Sequence, residues 1–245
     1  MKFKNTLVLL TLSVVLYSCM FTEELYVKND GSGNYSFKMD MSEMMESMKG
    51  MSEKDSINPP KVIDTLILFN DIIAENKDSI AKLNENEQAT IHSLKDLTLR
   101  MQVDEEKGKM LMDFSKDFQA ISELQNMEEK IAKAQSLSDG KSDDRGVQSK
   151  SNTNYSFKGN TFKRMVTLKD LTNEELEQFN KSTKQTSSFM DGSIYKLIYH
   201  FEKDIKKVSI KNAIISNDRR TLTIEIPMDT LVNNPKLLDF KVKFK

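Results

Sequence analysis

The chain has 245 residues, which is long enough for one substantial hydrophobic core or two small ones. Its 36 basic and 37 acidic residues give a formal net charge of −1, and without a basic excess nucleic-acid binding is disfavoured. The single cysteine excludes an intramolecular disulfide.

The start of the chain has the pattern of an export signal. A short basic segment precedes a mostly apolar run over 7–17, which is shorter than the ~20 residues that cross a bilayer. The run ends at Leu16, Tyr17, Ser18 and Cys19, a sequence that resembles a bacterial lipobox. The resemblance implies cleavage between Ser18 and Cys19 and diacylation of the Cys19 thiol. The alternative is an ordinary secretory signal with Cys19 as a passenger, but a lone exported thiol is a liability that a thioether-linked lipid removes.

These residues predict a signal peptide over 1–18 and a lipidated tether over 19–23. Met20 instead of an aspartate after the cysteine resembles outer-membrane sorting, and Glu23 and Glu24 resemble in part the surface-export signals of Bacteroidota lipoproteins. We therefore expect an outer-membrane, lipid-anchored protein on the periplasmic leaflet or the cell surface, with the membrane as its first partner.

Residues 24–137 read as hairpins followed by helices. "ELYV" and "NYSFKMD" predict a hairpin, after which Asp40 begins a helix as part of a capping box. The pentapeptide "NYSFK" occurs at 34–38 as an outgoing strand and again at 154–158 as an incoming strand. Because the two copies hold different positions in their hairpins, convergence explains the repeat better than a duplicated binding motif.

A helical stretch is predicted next, because apolar residues there follow the spacing of a helix stripe: Val62, Leu66, Phe69, Ile73, Ile80 and Leu83. A second hairpin, 96–114, leads into a predicted helix over 115–137. Residues 138–153 are rich in Ser, Asp and Gly and predict a flexible linker or loop.

The segment 154–245 is predicted to be β-rich, either as a separate domain or as one continuous domain with 24–137. Thr172 and Glu175 form a capping box before a helix near 173–188. A strand follows with Tyr195, Leu197, Tyr199 and Phe201 on one side, then a hairpin turning at 217–220 and a closing strand "DFKVKFK". The expected fold class is α+β, with antiparallel β-hairpins each followed by a helix and the helices packed on one face of the sheet.

A methionine-rich segment is the sharpest local feature. Met41, Met44, Met45 and Met48 share one helix face, which indicates packing against a core, an adaptable partner-binding groove, or a weak Cu(I) site of soft thioether ligands. His92 and His200 lie in different predicted elements. No catalytic or cofactor motif occurs, so we expect a non-enzyme without cofactors.

Four Asp-Ser/Thr-aliphatic triplets carry Ser56, Thr65, Ser79 and Thr230. They resemble the O-glycosylation acceptor of exported Bacteroidota proteins. Aspartate before a hydroxyl residue is also common at helix starts.

Three features together resemble an uncharacterised family of Bacteroidota outer-membrane lipoproteins. They are the lipobox with the acidic residues that follow it, the early hairpin leading into the Met-rich helix, and the C-terminal "YKLIYHFEKDIKKVSIKNAIISNDRRTLTIEIPMDTLVNNPKLLDFKVKF". The resemblance implies location and fold and carries no catalytic residues. We expect a cell-envelope lipoprotein with a binding or structural role and an envelope protein or glycan as partner. The alternatives are an envelope hydrolase with a carboxylate-based site and a Met-rich copper-handling lipoprotein.

Overall fold

The computed structural model describes residues 20–51, 61–138, 149–190 and 192–245. These residues form twelve strands: β1 (Met20–Val27), β2 (Gly33–Asp40), β3 (Val62–Leu68), β4 (Thr98–Asp104), β5 (Lys109–Phe118), β6 (Ser151–Lys158), β7 (Thr161–Leu168), β8 (Ile194–Phe201), β9 (Ile205–Val208), β10 (Ile214–Ile215), β11 (Thr221–Pro227) and β12 (Phe240–Phe244). The helices among them are α1 (Ser42–Met51), α2 (Phe69–Glu75), α3 (Lys77–Ile80), α4 (Glu85–His92), α5 (Met127–Ser138), α6 (Asn173–Met190) and α7 (Met228–Asn233).

The strands build two sheets. The larger has eight strands in the order β10-β11-β8-β1-β2-β5-β4-β3, and the smaller has four in the order β6-β7-β12-β9. Strand β1 lies inside the larger sheet, where it pairs antiparallel with β2 and parallel with β8. The segments on either side of the predicted linker therefore share one sheet.

The two sheets pack face to face through large apolar side chains. Leu25 and Leu197 of the larger sheet are buried. Phe162 of β7 lies 5.7 Å from Tyr199 and 5.3 Å from Phe201 between ring centroids, while Tyr199 lies 5.8 Å from Phe240 of β12. Each fully buried large apolar side chain at this contact contributes roughly 1.5–3 kcal/mol, so the packing of the two sheets stabilises the fold.

The expected fold class, α+β with helices packed on one face of a hairpin sheet, is wrong. A second sheet covers the inner face of the larger sheet, where the helices were expected. The reason lies in β7 and β12, whose alternating residues Phe162, Val166, Phe240 and Val242 are buried and give the small sheet its own apolar face.

The helix predicted from Val62 is also wrong in its first part. Residues Val62–Leu68 form strand β3, paired with β4 over its whole length, and the helix begins only at Phe69. Similarly, the helix expected from 115 gives way to the end of strand β5, which continues to Phe118. Pairing with a distant strand satisfies these backbone groups, so local spacing did not decide the structure.

Two boundaries differ from the sequence prediction. The residues after Cys19 were expected to form a tether up to residue 23, but strand β1 begins at Met20. The expected linker ends earlier than residue 153, because β6 begins at Ser151. The central part of that linker lies outside the described residues.

Several local predictions are confirmed. Thr172 and Glu175 cap α6 reciprocally, with the Thr172 amide donating to Glu175 at 2.7 Å and the Glu175 amide donating to the Thr172 hydroxyl at 3.3 Å. Strand β8 buries its odd-numbered side chains from Tyr195 to Phe201. The two "NYSFK" copies lie in β2 and β6, the outgoing and the incoming strand of their hairpins.

Candidate functional site

A carboxylate lies in the middle of the core. Glu23 follows Phe21 and precedes Leu25 on the inward face of β1, and its exposed fraction is zero. Strand β8 runs beside β1 with Leu197 opposite Glu23, so Tyr195 and Tyr199 flank the carboxylate on the same face. The strand pattern thus puts an acid where an apolar residue is the usual occupant.

Four donors surround this carboxylate. The Tyr155 hydroxyl donates to Glu23 Oε1 at 2.7 Å, and the Tyr199 hydroxyl donates to the same oxygen. The Tyr195 hydroxyl donates to Oε2 at 2.8 Å, and Arg164 Nη2 donates to it at 3.4 Å. Both carboxylate oxygens therefore act as hydrogen-bond acceptors. We call Glu23, Arg164, Glu128 and these three tyrosines the Glu23 cluster.

Arg164 joins the two sheets to helix α5. It lies opposite Tyr155 across the β6–β7 pair, with its side chain 1% exposed. Its Nη2 contacts Glu128 Oε1 at 2.7 Å, and its Nη1 donates to the Leu238 carbonyl at 3.2 Å. A single guanidinium therefore serves two carboxylates, and only Glu128, with 34% of its side chain exposed, reaches the surface.

Burial sets the protonation states around the cluster. It raises the pKa of Tyr155, Tyr195 and Tyr199 well above their usual value, and the nearby carboxylates add to this effect. The phenols are therefore neutral donors. Burial also raises the pKa of Glu128; Arg164 opposes that rise and the charge of Glu23 adds to it.

Two buried polar atoms beside the cluster have no hydrogen-bond partner among the described residues: the Tyr35 hydroxyl and Arg164 Nε. Tyr35 and Tyr155 are the tyrosines of the two "NYSFK" copies, and both are buried. Burial raises the pKa of each phenol, and the charge of Glu23 adds to this rise. The repeat therefore supplies aromatic walls from two different strands to one polar core.

The chemistry of the Glu23 cluster is structural. Its central carboxylate is fully enclosed and its oxygens already accept four hydrogen bonds, which leaves no free position for a substrate atom. Removing one partner of a buried ion pair costs about 3–5 kcal/mol. The cluster fixes the alignment of the two sheets and of α5.

A second polar group lies on the outer face of the large sheet. Glu24 accepts from Lys38 at 2.7 Å and from Tyr26 at 3.0 Å, and it lies 3.2 Å from His200 Nε2. The Tyr26 and His200 rings stack with centroids 4.1 Å apart. Burial raises the pKa of Glu24, but the hydrogen bonds from Lys38, Tyr26 and His200 outweigh it and leave the pKa lowered.

An open groove of about 400 Å³ lies beside the start of α2, where strands β2 and β4 begin and strands β3 and β5 end. Its carboxylates are Asp71, Asp96 and Asp117. Asp96 accepts from Asn70 at 3.0 Å, and Asp117 accepts from Asn34 at 2.9 Å. The groove is polar and open to solvent, as a site for a hydroxyl-rich ligand would be.

The sequence-predicted methionine site is only partly described. Met41 precedes α1 and packs against the core, while Met44 and Met45 are half-buried. The side chain of Met48 lies outside the described residues. The packing of Met41 favours the interpretation of this stripe as a contact face.

The other predicted positions are scattered. Thr65, Ser79 and Thr230 are exposed, in β3, α3 and α7 respectively, whereas Ser56 lies outside the described residues. The lipobox residues Leu16, Tyr17, Ser18 and Cys19 also lie outside them. Glu23, read as part of an export signal, is buried.

Neither a metal cluster nor a membrane-spanning helix was found in the described stretches. No group of three or more His, Cys, Asp or Glu side chains there is placed to hold a metal ion. His92 ends α4 on the surface, in a different part of the fold from His200. None of the described helices is both long enough and apolar enough to span a bilayer.

Sequence reasoning missed the Glu23 cluster, although a signal was available. Phe21, Glu23 and Leu25 share one strand face, and Phe162, Arg164 and Val166 share another. An acid and a base, each alone on an apolar strand face, indicate a buried pair.

No family model and no curated protein matches the chain. Among solved structures, the NMR structure of the folded domain of Mycobacterium tuberculosis LppM aligns with a TM-score of 0.39 and 7% sequence identity, over 94% of this chain and 90% of that chain. Similarity at this level supports neither a family assignment nor a function. The resemblance to Bacteroidota lipoproteins stays a prediction.

Proposed function

We propose that this chain is a lipid-anchored protein of the cell envelope, held at the outer membrane, with a binding or structural role and no catalytic activity. The observation that carries the proposal is the junction at Cys19. The lipobox ends at this residue, and strand β1 begins at the next one, Met20.

That junction leaves no spacer between anchor and body. Two acyl chains on Cys19 would give stable attachment, at about 0.8 kcal/mol for each buried methylene. The first strand would then start at the membrane surface, and its partners would be envelope components within reach of that surface, a protein or a glycan.

The proposal of a non-enzyme is supported by the enclosure of the Glu23 cluster. The most elaborate set of ionisable groups in the described part of the chain is used for internal hydrogen bonds, as expected of a structural core. Binding would then fall to the surface of the body.

The anchor is tested by Cys19→Ser in cells fed radiolabelled palmitate. We expect the variant to lose the label and to leave the detergent phase on partitioning. Ser18→Ala is the matched control, because a small residue before the cysteine keeps the lipobox intact and both label and partitioning should persist. A labelled, detergent-phase Cys19→Ser protein would refute the anchor.

The groove favours a second candidate, an envelope hydrolase acting on glycans or peptides. Its three carboxylates face one open space, and paired acids are what glycoside hydrolysis needs. The test is release of reducing ends or free amines from envelope glycans and peptides by the purified chain. Activity lost in Asp96→Asn and in Asp117→Asn, but kept in Asp64→Asn outside the groove, would establish it; absence of activity in the parent chain would remove it.

A further inference from the structure

The four sheet edges differ in how they are protected. A free edge strand can pair with another chain, and proteins usually prevent this by keeping the strand short, by placing lysines on it or by covering it. Strand β10 has two residues, and β9 has four, including Lys206 and Lys207. The edge of β6 is covered at Thr153, which exchanges two hydrogen bonds with Asn126.

Within the part of the chain that the structure describes, strand β3 has none of these protections. It has seven residues, "VIDTLIL", without lysine, arginine or proline, and among the described residues it pairs with β4 alone. Val62 is 70% exposed, Leu66 61% and Leu68 42%. An exposed apolar strand of this length at a sheet edge is a site for strand addition.

The charge on β3 is already neutralised within the chain. Asp64 binds Arg100 of β4 through two hydrogen bonds, at 3.0 and 2.9 Å, and accepts a third from Gln102 at 3.1 Å. An incoming strand therefore meets no unpaired carboxylate.

The hydrogen-bond pattern defines which backbone groups are free. The Glu105 amide donates to the Lys61 carbonyl and the Phe69 amide donates to the Leu97 carbonyl, so the odd-numbered residues of β3 exchange hydrogen bonds with β4. In an antiparallel ladder the alternate residues point their amides and carbonyls the other way. The free groups therefore belong to Val62, Asp64, Leu66 and Leu68.

We propose that β3 pairs antiparallel with β3 of a second copy of this chain. One register uses all four free residues on each strand: Val62 opposite Leu68 of the second copy and Asp64 opposite its Leu66. The two-fold axis then passes midway between Thr65 of one copy and Thr65 of the other, which face each other. Ile63 faces the second copy's Ile67, and such β-branched and Thr–Thr cross-strand pairs are favourable.

The size of the contact predicts a weak dimer in dilute solution. Seven residues at about 3.3 Å each give a strand about 23 Å long, and one such strand presents less than the ~800 Å² per partner of a standard stable interface. Confinement of both copies to one membrane would raise their effective concentration.

The geometry of the larger sheet allows two anchors on one membrane. Four strand steps separate β3 from β1, and at about 20–25° of twist per step they accumulate about 80–100°. Strand β1 then runs nearly along the two-fold axis, so both Met20 ends leave the dimer on the same side. This orientation rests on the proposed function, whereas the pairing itself rests on β3 alone.

Single cysteines in membranes that contain the full-length chain test the register. Residues facing each other without a hydrogen bond between them have Cα atoms about 4.5 Å apart, within the range of a disulfide, so Thr65→Cys should give a disulfide-linked dimer on mild oxidation. Val62→Cys is the matched control: it is also exposed and on β3, but its copies would be about 20 Å apart. It should stay at the background of the parent chain, which carries Cys19 only.

Each other outcome contradicts the pairing. Equal cross-linking of both variants would mean random collision or parallel in-register pairing. Cross-linking of Val62→Cys alone would mean an antiparallel register centred on Val62, and no cross-linking of Thr65→Cys would mean that the edge is free. A glycan on Thr65 of the native chain, found by mass spectrometry, would also overturn it, because the sugar would stand on the two-fold axis. Repeating Thr65→Cys in a Cys19→Ser chain separates the two proposals: a dimer there supports the pairing even if the anchor fails.

Discussion

Arg164→Met is the most direct test of the Glu23 cluster. The substitution keeps most of the side-chain volume and removes the guanidinium, so the buried Glu23 loses its cationic neighbour while the Leu238 carbonyl and Glu128 lose their donor. The tyrosine hydroxyls still donate to Glu23 but cannot neutralise its charge.

The expected loss follows from the burial of the pair. Arg164 and Glu23 have side chains that are 1% and 0% exposed, and breaking such a buried pair from one side costs about 3–5 kcal/mol. For a chain of this size each kcal/mol shifts the melting temperature by about 2–4 °C, so we expect the midpoint to fall by about 6–20 °C.

Thermal unfolding followed by circular dichroism measures this shift. The control is Arg100→Met, which makes the same chemical change in a pair whose side chains are more than half exposed. It should leave the midpoint nearly unchanged, because solvent screens such pairs. If the midpoints of Arg164→Met and Arg100→Met agree within experimental error, the Glu23 cluster does not stabilise the fold and its structural interpretation fails.

Two further substitutions test the pH response and the first hairpin. Glu128→Gln removes a carboxyl whose pKa is raised by burial against the opposing effect of Arg164. A raised folded-state pKa adds stability that is lost as the pH rises above the ordinary carboxyl value of 4.5. In urea unfolding, the free energy of unfolding of the parent chain should therefore fall relative to that of the variant as the pH rises above 4.5, and a rise instead would contradict this. Gly33→Ala would place a methyl group 1.8 Å from the Tyr26 carbonyl oxygen, so we expect overpacking to lower the free energy of unfolding by about 3 kcal/mol. Gly159→Ala, at φ +57° with nothing within 4 Å, should lower it by only about 1 kcal/mol. The reverse order in denaturant midpoints would contradict the prediction.

The hairpins could be predicted from the sequence because their information is local. Strand β8 alternates the buried Tyr, Leu, Tyr and Phe with the half-buried Lys196, Ile198 and His200. Alternation and turn chemistry act over a few residues, so the strands of the earlier hairpins were found where they were expected. In the last hairpin only Ile214–Ile215 pair with β11, whereas Ile205–Val208 belong to the smaller sheet.

The assembly of the sheets could not be predicted, because it depends on distant pairings. Met20 pairs with Ile194, and Val62 pairs with Asp104. The segment containing Val62 and Leu66 was read as helical because residues four apart also lie on one helix face. With apolar side chains on both faces, β3 lacked the alternation that would have identified a strand, and only β4 decides its structure.

The candidate site escaped prediction for a related reason. Glu23 was interpreted from its closeness to Cys19 in sequence, whereas its role is set by Arg164 and Tyr199, which lie more than 140 residues away. The position of Glu23 on the same strand face as Leu25 was the stronger physical signal, because it indicates burial.

The place of β1 within its sheet also determines how the body would resist force. Because β1 is bonded on both sides, to β2 and to β8, tension applied through residue 19 along the strand would load both ladders in shear. Shear strains many hydrogen bonds together, while an edge strand pulled sideways unzips one bond after another. The proposed attachment at Cys19 would therefore place the load on many hydrogen bonds at once.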